Sequence, residues 1–100
     1  MLRVGKRTKN RLTLGVEGEL SIYAAEQLKG ELLENITDCP LLVLDLSAVS
    51  EMDTAGLQLL YALKRECAVR ASQLRIDKPS PAVLEVLELC NAREYFTDPA

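Results

Sequence analysis

The chain has no histidine and no tryptophan among its 100 residues, and aromatic residues make up only 4% of it. Without histidine the commonest general base is missing, so no Ser-His or Cys-His nucleophile pair can be assembled from this chain alone. There is no GxxxxGK-Ser/Thr phosphate loop, no GxGxxG turn and no Cys/His spacing of metal-binding type. Nucleotide hydrolysis therefore lacks a cradle, and a structural zinc lacks ligands. The three cysteines, Cys39, Cys67 and Cys90, are odd in number and widely spaced. That pattern supports no disulfide framework and fits a reducing cytoplasm. Cys67 and Cys90 fall inside helical patterns, where a free cysteine is expected to serve as a small core hydrophobe. Long apolar runs are absent as well. A clean run such as Leu41 to Leu44 is far short of the roughly 18 to 20 residues that span a bilayer. The basic stretch Met1 to Arg11 is not followed by a hydrophobic segment, so neither export nor membrane insertion is expected.

What is present is ordinary for one compact domain, expected over 1–100: 48% hydrophobic and 27% charged residues. The formal net charge of −3 hides an asymmetry, because Arg3, Lys6, Arg7, Lys9 and Arg11 give the first eleven residues +5 and leave −8 for the remainder. An acidic body of that kind argues against nucleic acid as the partner.

Residues 2 to 7 and 11 to 17 alternate apolar with polar, with Thr8-Lys9-Asn10 between them as a tight connection, and so predict an N-terminal hairpin. Gly18-Glu19-Leu20-Ser21 breaks the alternation. Ala25, Leu28, Leu32 and Ile36 then recur at helical spacing, predicting a helix over 22–36 with Ser21 as its N-cap and Asp38-Cys39-Pro40 as its stop. Leu41 to Leu46 has the pattern of a strand buried on both faces. Leu57 onward is helical to about Arg70, with Gly56, Leu59, Leu60, Leu63 and Cys67 on one face and Gln58, Lys64, Arg65 and Glu66 around the other. Gln73 to Ile76 is a short strand. Ser80-Pro81 opens a third helix as N-cap and N1, turning Val83, Leu84 and Leu87 inward; residues from Tyr95 onward carry no clear pattern. The order predicts an α/β domain whose last three strands run parallel, with the loop Ser47 to Asp53 at a strand carboxyl end, where such sheets usually place function.

Within Leu44 to Leu57, three acids and three hydroxyls crowd one segment. Asp53 is suited to cap the following helix, which sets Thr54 at the first helical position with its hydroxyl near solvent. Gly56 in the first turn either lets a partner approach the helix start or relieves packing against a neighbouring strand. Asp45, Glu51 and Asp53 read as solvated or capping acids rather than a divalent-cation site, so no metal and no cofactor are expected.

This segment resembles the signature of STAS domains, the family of anti-sigma-factor antagonists and related modules. There, a buried strand ending in Leu-Asp-Leu-Ser leads to Asp-Ser/Thr-x-Gly-Leu at a helix start. Val16-Glu17-Gly18-Glu19-Leu20 followed by Ala24-Ala25 resembles the family's segment before its first helix, and Pro79 to Leu89 its third helix, so the resemblance spans about residues 11 to 96. It implies a STAS-like mixed sheet of four to five strands with an N-terminal hairpin and about three helices. It also implies a cytoplasmic, non-enzymatic bacterial signalling protein with no catalytic residues. Thr54 matches the hydroxyl residue that a serine/threonine kinase-type anti-sigma factor phosphorylates in the family's antagonists. The implied partner-binding surface comprises Ser21, Glu51, Asp53, Thr54, Ala55, Gly56 and Leu57. Any Mg²⁺-ATP would arrive with the partner kinase. Ala55 stands where the common form has a second hydroxyl, and Ser21 where an acidic residue is frequent.

A phosphate adds about −1.5 to −2 charge, and no Lys or Arg occurs between Pro40 and Leu63 to receive it. Modification is therefore expected to abolish a docking surface by charge and desolvation rather than to refold the domain. The Asp-Thr-x-Gly form is also similar to STAS subunits that sit on the ATPase of lipid-transport ABC systems. There the threonine makes contact without turning over, and other relatives accompany chemotaxis or two-component modules.

Overall fold

The computed structural model describes residues 2–35 and 40–97. The elements run β1 (Leu2–Arg7), β2 (Arg11–Leu20), α1 (Ile22–Asn35), β3 (Leu41–Met52), α2 (Thr54–Val69), β4 (Gln73–Asp77), α3 (Pro81–Leu89) and α4 (Arg93–Thr97). The predicted positions Ile36, Asp38 and Cys39 lie outside the described residues. The four strands form one sheet in the order β1-β2-β3-β4. β1 is antiparallel to β2, whereas β2-β3 and β3-β4 are parallel. The hairpin closes at Thr8, whose Oγ1 accepts from the Arg11 amide at 3.1 Å.

Alternation along the strands sorts side chains between the two faces. Leu12, Leu14 and Val16 of β2, Leu42, Leu44 and Leu46 of β3, and Leu74 and Ile76 of β4 belong to one buried cluster. The same cluster takes Leu28 and Leu32 from α1, Leu60, Leu63 and Cys67 from α2, Val83 and Leu87 from α3, and Phe96 from α4, so every helix packs on that face. The opposite face is polar, with Thr13, Val43 and Arg75 aligned across three strands and Gly15, Asp45 and Asp77 in the next row. Val43 is buried but lies outside the main core cluster, so the Leu41 to Leu46 run is only partly the two-faced strand that its apolar pattern predicts. Arg3 lies over Gly15, where a Cβ would meet its Nη2 at 3.0 Å.

Two expectations at element ends are corrected. The Ser47 to Asp53 segment is not a loop, because β3 continues to Met52. The segment pairs with the end of β2, across the Gly18 break in alternation: Glu17↔Ala48, Gly18↔Val49, Glu19↔Glu51 and Leu20↔Met52. The register slips between Gly15 and Glu17 and again between Gly18 and Glu19. Gly18, at φ +89°, supplies a backbone conformation that other residues avoid. Bulges scramble the alternation without ending the strand, which is why the pattern looked like a break. Cys90 is the second correction: it is exposed, at the C-cap of α3, whereas Cys67 is a core residue whose thiol pKa is pushed up by burial.

The C-terminal segment, patternless in sequence, forms α4. Phe96 is fully buried, with its ring 5.0 Å from that of Tyr61 and 5.1 Å from that of Tyr95. Lys64 sits 4.1 Å over the Tyr95 ring and donates to its carbonyl oxygen. Substituting Phe96→Ala removes a buried aromatic from the main core and should cost about 3 to 5 kcal/mol, read as a lower urea midpoint with the slope unchanged.

Candidate functional site

At the carboxyl ends of β2 and β3 the chain enters α1 and α2 side by side, and Asp53 holds both starts. Its backbone is extended (φ −121°, ψ −173°), the conformation of an N-cap. The Gly56 amide donates to Asp53 Oδ1 at 3.1 Å, and the Ile22 amide donates to Asp53 Oδ2, also at 3.1 Å. The Asp53 amide in turn donates to the Leu20 carbonyl at 3.3 Å. One carboxylate thus satisfies orphan amides of two helices and lies at the positive end of both dipoles. Bonding from Gly56, then from Ile22, holds the Asp53 carboxyl below its usual 3.8.

Ser21 occupies the N-cap position of α1 as expected, but its side chain does not do the capping. Its hydroxyl is buried and has no hydrogen-bond partner among the described residues, while its carbonyl accepts from the amides of Ala24 and Ala25 at 3.0 and 2.8 Å. The capping contact at Ile22 comes from Asp53, 31 residues away in sequence. No local pattern could announce it. The available signal was indirect: Ile22 and Tyr23 are apolar, off the Leu28/Leu32 face, and prove 66% and 91% exposed beside the site.

Gly56 is decided in favour of packing. A Cβ there would lie 2.1 Å from the Leu20 carbonyl oxygen, so the start of α2 presses directly on the end of β2. Gly56 and Leu57 are both buried, and Leu57 belongs to the core. Of the remaining expected contact residues, Thr54 and Glu51 are exposed and Asp53 and Ala55 half-buried. Thr54 is the first residue of α2. Glu51 pairs in register with Glu19, and both carboxylates are exposed, with no ion pair to either among the described residues. Like charges side by side across a strand pair are mildly destabilising.

Asp45 points elsewhere. It accepts from the Ser47 hydroxyl at 2.6 Å and from the Ser47 amide at 2.9 Å. Those bonds, with Lys78 and Arg3 near by, lower its pKa. With Asp45 and Asp53 both engaged, the three acids do not converge, and among the described residues no group of His, Cys, Asp or Glu could hold a metal ion. No helix among the described residues is long and apolar enough to cross a membrane.

A strand running into a capped helix at Asp-Thr-x-Gly, on a sheet with all helices on one face, defines the class, and comparison with known proteins agrees. The family model described as "Mlab, STAS domain" matches residues 5–96, and the chain belongs to the STAS domain family. An anti-sigma factor antagonist from Mycobacterium paratuberculosis superposes with a TM-score of 0.80 at 22% identity, covering 100% of this chain and 87% of that one. The antagonist SpoIIAA in its unphosphorylated form gives 0.78 at 22% identity, covering 100% and 89%. Its phosphorylated form from Bacillus gives 0.71 at 20% identity, covering 100% and 92%. These likenesses establish the STAS fold, with four strands, the N-terminal hairpin and one helix more than the three expected.

Two outcomes check this geometry. Gly56→Ala should separate α2 from β2, seen as faster hydrogen exchange at the Ile22 and Asp53 amides and a lowered melting temperature. For Asp53, a depressed folded pKa gives stability that is present above 3.8 and is lost as pH falls through the lower folded value. The stability gap between wild type and Asp53→Asn should therefore be widest near neutrality and close on acidification in urea titrations. A gap independent of pH would show that the charge of the carboxylate contributes nothing.

Proposed function

We propose that the chain is a non-enzymatic signalling switch of the anti-sigma-factor antagonist kind. It binds a serine/threonine kinase-type anti-sigma regulator and is controlled by phosphorylation of Thr54. The observation that carries this reading is an exposed hydroxyl at the first position of a helix whose start is already fixed by Asp53. SpoIIAA, of the same fold, exists in phosphorylated and unphosphorylated forms. Phosphate on Thr54 would find Glu51 and Glu19 near by and no cation in the surrounding sequence. Lys64 is engaged with Tyr95, and Arg65 is eleven residues along the helix, about 16 Å away. The new charge would stay unpaired, and its desolvation would oppose any partner lying flat on this surface. Residues Glu51, Asp53, Thr54 and Ala55 would form the contact, supported from beneath by Ser21, Gly56 and Leu57.

A second reading is a constitutive docking subunit of an ABC transporter ATPase, in which Thr54 makes contact and is never modified. It is favoured by the rigidity of the site, since a helix start held by two carboxylate contacts and a close backbone approach needs no moving part.

A working toggle requires phosphorylation to weaken partner affinity by about 3 kcal/mol, on the order of a hundredfold. Calorimetry against the partner recovered from the native cell should show Thr54→Glu binding at least that much more weakly than Thr54→Ala; equal affinities would sink the switch. Intact mass of protein from the same cell should carry an increment of about 80 Da on Thr54. Its persistent absence assigns the docking role.

A further inference from the structure

Helices α1 and α2 lie side by side, and between them runs an open groove of about 500 Å³ that starts at Ile22 and Ala55, next to Thr54. It continues past Lys29, Ala62 and Arg65 into a second hollow of about 280 Å³ that ends at Val69. The floor is made of small or buried side chains: Ala25, Ala55 and Ala62 are half-buried and Leu59 is buried. The two ends are marked by apolar side chains facing water, with Ile22 66% and Val69 77% exposed. Lys29 on one wall and Arg65 on the other line both hollows. Both are exposed, and neither makes an ion pair among the described residues. Two nearby carboxylates complete the charge pattern. Glu26 lies on the α1 wall, and Glu66 in the far hollow is already bonded to Arg70 at 3.0 Å. The junction of the two hollows, which share Lys29, Ala62 and Arg65, is cationic, with one carboxylate in each hollow beyond it.

We propose that this groove seats an amphipathic helix of the partner. Its apolar face would lie along the alanine floor, with a carboxylate side chain set between Lys29 and Arg65. The proposal rests on the reading of Thr54 as a partner-facing residue and adds what the partner presents. Three features select a helix. A floor of small side chains admits a helix backbone closely, and the 14 residues of α1 give a trough of about 21 Å, the length of a helix of the same size. The apolar strip Ile22, Ala25, Ala55, Leu59, Ala62 and Val69 gives a surface on which the apolar face of an amphipathic helix can lie. The two opposed cations select an acidic residue at mid-length. A phosphate on Thr54 would stand at the mouth of the trough and repel an acidic helix.

The full chain, labelled at its alanine methyl groups, is titrated with two synthetic 16-residue amphipathic helices. They share one Leu/Ala face and differ only in carrying Glu or Lys on the flank. The Glu peptide should shift the Ala25, Ala55 and Ala62 methyl signals saturably. It should bind about five- to tenfold tighter than the Lys peptide, the ratio that two partly exposed ion pairs can supply. The double variant Lys29→Glu/Arg65→Glu, at exposed positions that leave the core intact, should invert that order. Binding of neither peptide, equal affinity for both, or shifts confined to the polar sheet face around Thr13 and Val43 would overturn the proposal. A concentration-dependent dimer in sedimentation, abolished by the same double variant, would assign the groove to a second copy of the chain and overturn it too. The peptide arms use wild-type Thr54, so they fail or succeed independently of the Thr54→Glu comparison that tests the switch.

Discussion

The Asp53 carboxylate divides its two oxygens between the Gly56 amide at the start of α2 and the Ile22 amide at the start of α1, and the arrangement of this end of the molecule follows from that division. With the two helix starts joined through one side chain, α1 and α2 enter the domain at a set spacing. The groove between them has a defined mouth, and Thr54 is held at a definite point beside it. The Gly56 approach to the Leu20 carbonyl completes the lock by bringing α2 against β2 at the place where α1 begins. An aspartate with a single capping contact would order one helix. Shared between two, it orders their relationship. That demands an acid with two accepting oxygens at this position, which a hydroxyl N-cap cannot supply.

Most of the fold could be read from residue order because it depends on local periodicity. The hairpin, the helical face of Leu59, Leu60, Leu63 and Cys67, the Ser80-Pro81 helix start and the parallel order of the last three strands all rest on patterns a few residues long. The misreadings have a common physical cause, contacts between residues far apart in sequence. Bulges in the β2-β3 pair shift the side chains out of strict alternation, so the end of β2 from Gly18 read as a break and the Ser47 to Met52 half of β3 as a loop. Residues Arg93 to Thr97 form a helix because Phe96 finds the core and Tyr95 finds Lys64, and five residues hold too little periodicity to declare themselves. At the site, Asp53 capping α2 was legible because donor and acceptor are three residues apart. Its bond to Ile22 was not, and Ser21, which holds the N-cap position by its carbonyl, leaves the side-chain contact at this helix start to the carboxylate of Asp53.

Charge is distributed along the molecule as unevenly as along the chain. The cations of the first eleven residues lie on β1, the hairpin turn and the first residue of β2. The Glu19-Glu51 pair lies at the carboxyl end of the parallel strands, beside Thr54. Adding charge at Thr54 therefore deepens an existing negative pole, and the cost of burying that pole against a partner rises with each unit. A modest chemical change matters there because, among the described residues, Glu19 and Glu51 at that end make no ion pair and only the two helix dipoles offset them.

β1 is an edge strand whose outer backbone groups have no neighbouring strand among the described residues, and five of its six residues are exposed. Such an edge is a template for pairing with another chain. Here the template carries Arg3, Lys6 and Arg7, with Lys9 and Arg11 at the adjoining turn. Two copies meeting edge to edge would bring these cations together within a Debye length of about 8 Å at physiological salt. Edge-to-edge pairing of this strand therefore carries a like-charge cost that salt screens, reduced at Arg3 by its ion pair with Glu17 at 3.5 Å.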